Sequence, residues 1–275
     1  MPIFILPNSN IMTHFIKQLT IWGFLILILQ GIISCESKND PAPNNQDTTT
    51  SITFHFDHTV DGAGVVFNDI RYENEAGNKY SIMTLKYYIS DITLHRYKGE
   101  EVKIDTFLYR DIDNSDTRSL LIENIPNGEY TYISFIFGFS PEKNVSFSLP
   151  PTQENINMEW PDPMGGGYHY MKLEGRFIKS DGETGSYNTH TGRLQTMDGN
   201  INENYIEVEL PFSSINIHND NWEVNVVMNI NEWYAHPHTY NIETFGPAIM
   251  GSQDAQQTLK ENGKNVFTVR SISRK

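Results

Sequence analysis

"ITFHFDH", residues 52–58, decides the fold. Ile52, Phe54, Phe56 and His58 fall on one side of the stretch, and Thr53, His55 and Asp57 on the other. A period of two marks a strand with one buried face, because successive side chains leave a pleated backbone on opposite sides. The rhythm returns along the chain. "YIEVELPF" (205–212) turns Ile206, Val208 and Leu210 inward and Glu207 and Glu209 outward, and "WEVNVVMNI" (222–230) puts Trp222, Val224, Val226, Met228 and Ile230 on one side. "YTYISFIFGF" (130–139) and "LKYYISDITLHRY" (85–97) are further strands, the second with a bulge expected near Ser90–Asp91. Clusters such as "EAGN", "YKGE" and "SDGETG" supply the turns between them.

One helix is predicted late in the chain. In "SQDAQQTLKENG" (252–263), Ser252 stands as N-cap, Ala255 and Leu259 are four apart, and Gly263 marks the stop. Many half-buried strands and one short C-terminal helix predict an all-β protein, an antiparallel β-sandwich with immunoglobulin-like layers. Fourteen Tyr and fifteen Phe agree, since aromatic side chains favour strands.

Residues 19–29, "LTIWGFLILIL", are apolar but too short for a stable membrane-spanning helix. Lys17 precedes them and "GIISC" follows, which is the order of a secretory signal. With cysteine at the cut, the segment resembles a bacterial lipoprotein signal, in which Cys35 becomes the lipid-bearing first residue. Three segments are therefore expected: a signal peptide at 1–34, a flexible tether at 35–50 and one domain at 51–275. "ESKNDPAPNNQDTTT" (36–50) is polar and Pro/Asn-rich, as a tether should be. Cys35 is the single cysteine, so an intrachain disulfide is excluded and packing must hold the domain. Once Lys17 is set aside, 19 basic residues face 34 acidic ones. That balance argues against a nucleic-acid partner, whose affinity rests on basic charge.

Eight histidines follow the signal segment, and strand parity separates them. His55, His95 and His218 read as surface residues. His58 continues the row of Phe54 and Phe56. His169 shares parity with Met171, Leu173 and Phe177, and His190 with Leu194 if "YNTHTGRL" is extended. An inward histidine is either a core residue satisfied by backbone or tyrosine hydroxyl, or a ligand. Three at strand ends could meet at one rim, and neutral imidazole ligates copper, zinc or nickel. Asp57 and Tyr168 are candidate partners behind them. His236 and His238 in "HPH" form a separate pair with a proline between them. "DIDNSDT" (111–117) is oxygen-rich but lacks the central Gly of a calcium loop and its closing Glu, and reads as an acidic turn. "GGG" (165–167) precedes a strand, so it is a tight bend rather than a phosphate cradle. No nucleophile elbow, zinc-protease helix or paired carboxylates are legible, and no enzymatic activity is expected.

"FDHTVDG", "LKYYISDITL", "IPNGEYTYISFIFGF", "GGGYHYMKLEG", "HTG", "NINEWYAHPHTYN" and "LKENGKNVF" occur in this order. Together they resemble the MbnP-like family, named after the copper-binding partner protein of methanobactin gene clusters, over residues 51–269. The lipoprotein branch of Gram-negative envelopes is the one they look like. The resemblance implies a membrane-anchored β-sandwich, on the periplasmic face or cell surface, that binds copper. It implies a di-haem partner related to cytochrome c peroxidases, which in relatives can oxidise a tryptophan near the metal. By motif, His58, His169 and His190 match the family's recurring histidines. There is no Trp-x-His here; Trp160 is the tryptophan nearest the glycine turn, and an aromatic anchor is its expected role. The competing expectation is a surface module that binds glycan or protein on exposed Trp160, Trp233 and Tyr234, with its inward histidines structural.

Overall fold

The computed structural model describes residues 50–275; Cys35, the signal segment and the tether up to residue 49 lie outside them. The long strands are β1 (Thr50–Val60), β2 (Thr84–Arg96), β3 (Val102–Asp111), β4 (Ser119–Ile125) and β5 (Gly128–Phe137), then β6 (Met171–Ile178), β7 (Thr184–Thr191), β8 (Ile206–Ile217), β9 (Trp222–Asn229) and β10 (Phe267–Arg274). They form a β-sandwich. One sheet runs β10–β9–β1–β4, and the other runs β8–β5–β2–β6, with β3 also on β2 and β7 also on β6. The alternation in β1 is realised as read, with Ile52, Phe54 and Phe56 at most 2% exposed.

Aromatic side chains join the layers. Phe56 of β1 meets Phe135 of β5 edge-on at 6.0 Å, and Phe135 meets Phe267 of β10 at 5.3 Å. Such contacts add to the apolar burial that holds a domain with no disulfide. The bulge in β2 falls where the sequence places it, with Asp91 at φ 53° and a shift of register between Ser90 and Ile92. One pairing departs from a purely antiparallel sandwich. β1 runs parallel to β9, from Ile52 opposite Trp222 to Thr59 opposite Asn229. A parallel neighbour needs a long crossover rather than a tight turn, so no local signal announces it.

Three α-helices are present among the described residues: α1 (Gln153–Asn157), α2 (Ile242–Phe245) and α3 (Gln253–Asn262). α3 is the predicted one, with Ser252 Oγ accepting from Ala255 N and Ala255 and Leu259 fully buried. α1 and α2 have five and four residues, too short to show a helical period in sequence. None of the described helices is long and apolar enough to cross a membrane.

The outer face of the second sheet is not left to solvent. Tyr87 and Tyr88 are neighbours in β2 and point to opposite sides. Tyr87 joins the interlayer core, and Tyr88 packs on Phe139, Met158 and Tyr168 in a second cluster. Residues 139–170 therefore lie over the sheet, fastened by Tyr88 Oη donating to Asn155 Oδ1 at 2.7 Å.

Candidate metal centre

His169 and His190 meet on that covered outer face. Their ring centroids are 5.1 Å apart, edge to face. The route by which each arrives differs from its sequence reading. His190 lies in β7 opposite Lys172 of β6, while Thr189 and Thr191 are opposite Leu173 and Met171. Thr189 and Thr191 are the buried neighbours, at 2% and 4% exposure, so His190 faces outward rather than inward with Leu194. Parity within a strand is fixed, but which parity is inward depends on the partner strand. His169 precedes β6, and the chain bends at Tyr170, which ends the parity shared with Met171.

Three glycines aim His169. Gly165, Gly166 and Gly167 have φ of 113°, 65° and 86°, backbone angles that residues with a Cβ rarely adopt. They reverse the chain so that His169 N donates back to Met158 O at 2.7 Å. His169 Nδ1 lies 3.1 Å from the same carbonyl. A carbonyl can only accept, so Nδ1 carries the proton and Nε2 is left with the lone pair. Burial, with Lys172 and His190 adding repulsion, lowers this imidazole to about 3, which keeps it neutral at pH 7. His190 Nε2 is 2.7 Å from Glu174 Oε1. The hydrogen bond from His190 is the main influence holding that carboxyl below its usual range. Lys172, on the same face, is pushed down by burial, and its Nζ donates to Asn157 O.

Trp160 completes the site. It is 2% exposed and sits edge-on to His169 at 4.7 Å. The indole rests on Gly192, whose Cβ, were there one, would lie 2.6 Å from Trp160 Cε3. It is an anchor, as expected, but its neighbours are the imidazole and the end of β7. A cleft of about 250 Å³ lined by Ser146, Phe147, Glu159, Trp160, Pro161 and Asp162 opens beside it. A larger cleft of about 440 Å³, among Tyr205, Glu207, Glu209, Lys260 and Lys264, contains no histidine.

His58 is not brought to this pair. Its Nε2 lies 2.9 Å from Tyr87 Oη, and Tyr87 belongs to the interlayer core. The second sheet thus stands between His58 and His190. Burial first, then the Arg110 guanidinium, lowers His58 to about 3, and the ring is neutral like that of a satisfied core residue. Asp57 and Tyr168 do not serve the histidines: Asp57 takes both Arg118 Nε and Nη2, at 2.6 and 2.9 Å, and Tyr168 Oη accepts from Leu149 N. The common spot for three imidazoles becomes a pair. Among the described residues, no group of three or more His, Cys, Asp or Glu side chains surrounds one point.

The other expectations resolve simply. The aromatic platform is absent, since Trp160, Trp233 and Tyr234 are all at most 2% exposed. His236 and His238 turn to separate carboxylates, Glu232 and Glu261. The acidic turn closes on itself through a short 3-10 helix, Ser115–Thr117, capped by Asn114.

The separation of the two rings is compatible with a shared ion. A metal–imidazole bond is about 2 Å, so two rings sharing one ion have centroids roughly 5–6 Å apart. Each ring has one nitrogen engaged, His169 Nδ1 by Met158 O and His190 Nε2 by Glu174 Oε1, a feature common among ligating histidines. Imidazole donors suit copper, among other ions.

The family model described as MbnP matches residues 49–251. The solved structure of MbnP from Methylosinus trichosporium is similar at 15% identity and a TM-score of 0.47, covering 70% of this chain and 79% of its own. No curated protein matches.

Proposed function

This chain belongs to the MbnP family, and from that premise we propose that the domain binds copper through His169 and His190, as a holder of the ion and not as an enzyme. One observation carries the reading. Two imidazoles meet edge to face at 5.1 Å beside the buried Trp160, each with one nitrogen engaged. His169 offers Nε2, and Trp160 keeps water from its edge. His58 has no share in the site and supports the interlayer core through Tyr87.

Titration of the purified protein with Cu(I) and Cu(II), against chelators of known affinity, tests this. His169→Ala and His190→Ala should each weaken binding by about 100-fold, with His58→Ala within a few-fold of the parent. Unchanged tight binding in both of the first two variants overturns the proposal. Circular dichroism on each variant separates a lost ligand from a lost fold.

The anchored, envelope setting is part of the same proposal and rests on "GIISC" and its apolar run. In it, Cys35 carries lipid and a di-haem peroxidase-like protein is the partner. Cys35→Ala should move the protein from the membrane fraction to the soluble one. Retention on the membrane would remove the anchor from the account.

A further inference from the structure

We propose that Glu174 is the positioning residue of the pair: it fixes His190 with its proton on Nε2, so that Nδ1 is the nitrogen presented to the ion, opposite the Nε2 of His169. The inference takes its purpose from the copper reading, but its central test needs no metal.

The argument begins with register. β6 and β7 run antiparallel with His190 opposite Lys172, which places Glu174, two residues along β6, diagonally beside His190 on the same face. The carboxylate oxygen reaches Nε2 at 2.7 Å, a length typical of a charge-assisted bond. A glutamate carboxyl is ordinarily ionised at neutral pH. An ionised carboxylate has no proton to give. The proton between the two groups therefore sits on Nε2, and the lone pair of the neutral form of the ring is on Nδ1.

The result is an unequal pair. His169 is set by a backbone carbonyl and His190 by a carboxylate. The carbonyl contributes orientation only. Glu174 also brings a negative charge into a place where Lys172 already contributes a positive one, and so offsets part of the cost of admitting a cation. Without Glu174, Lys172 and the ion would repel each other with nothing between them.

The test uses the full chain with ¹⁵N-labelled histidine. Long-range ¹H–¹⁵N correlation on the metal-free protein reads the tautomer of each ring directly. His190 should be the Nε2–H form and His169 the Nδ1–H form. Glu174→Ala should give His190 mixed tautomers and weaken Cu(I) binding by about 10- to 100-fold. Glu174→Gln, whose amide oxygen still accepts but which carries no charge, should restore the tautomer and recover only part of the affinity. A His190 that is Nδ1–H in the parent protein overturns the proposal, and that measurement needs no variant to fold. So does an alanine variant whose tautomer and affinity are both unchanged. If the tautomers are as stated and the parent protein binds no copper, the copper reading fails and the assignment of Glu174 stands.

Discussion

Replacing Gly175 by alanine should lower the unfolding free energy by about 3 kcal/mol or more, because a methyl group there has nowhere to go. Gly175 lies in the middle of β6, directly opposite Tyr187 of β7. A Cβ would fall well inside van der Waals contact of the Ser81 carbonyl oxygen and 2.8 Å from Tyr187 Cε1. Neither neighbour can give way cheaply. Ser81 N donates to Arg176 O at 2.8 Å, and the Tyr187 hydroxyl donates to Ser81 O at 2.9 Å. Tyr187 is wedged against Tyr80 and Tyr234, all at most 1% exposed. Urea denaturation should show the loss, and the melting temperature should fall by about 10 °C. A loss under about 1 kcal/mol would mean that the Ser81 segment moves aside, and the crowding argument would fail.

The second large effect is acid sensitivity. In the folded chain His58 and His169 are both lowered to about 3, chiefly by burial, while in the unfolded chain each returns to its ordinary value of 6.5. Between those values the unfolded chain binds more protons, so stability must rise with pH. The contribution is complete above pH 6.5 and is lost as pH falls toward 3. Each fully buried ring would give up about 1.4 kcal/mol per pH unit in that window. Because His58 is only partly buried, about 3 kcal/mol is expected for the two together between pH 6.5 and 5. The groups facing His58 are Arg110, which opposes its protonation, and Asp57, which favours it weakly because Arg118 already neutralises it. Equilibrium unfolding at pH 7 and pH 5 measures the loss, and His58→Gln, which can keep a hydrogen bond to Tyr87, should shrink it by roughly half. Equal losses in parent and variant would show that His58 titrates in the fold as it does in the unfolded chain.

What the sequence made legible was local. Alternation in "ITFHFDH" and "YIEVELPF" marked strands and their buried sides, because one face of each packs on the opposite layer. The N-cap of α3, the bend at the three glycines and the bulge at Asp91 are chemistry of a few adjacent residues. The site was half legible. "GGGYHYMKLEG" marked His169, but the inward side of "YNTHTGRL" is decided by Lys172 opposite His190, a residue in another strand. Trp160 stood close to the site in sequence, yet its contact with His169 depends on residues 139–170 covering a sheet face that a two-layer reading leaves to water. Glu174 carried a weak signal, as an acid two positions beyond Lys172 on an outward face. Only its alignment with His190 makes it a partner.

The parallel seam between β1 and β9 governs how this chain can be made. Ile52 and Trp222 are neighbours in the sheet and far apart along the chain. During synthesis, β1 can hold β4 early but must wait for most of the polypeptide before its other edge is closed. Throughout that interval an apolar, alternating ribbon stands open to any passing strand. A holdase that engages the nascent N-terminal stretch should therefore raise the soluble yield more than one acting after release.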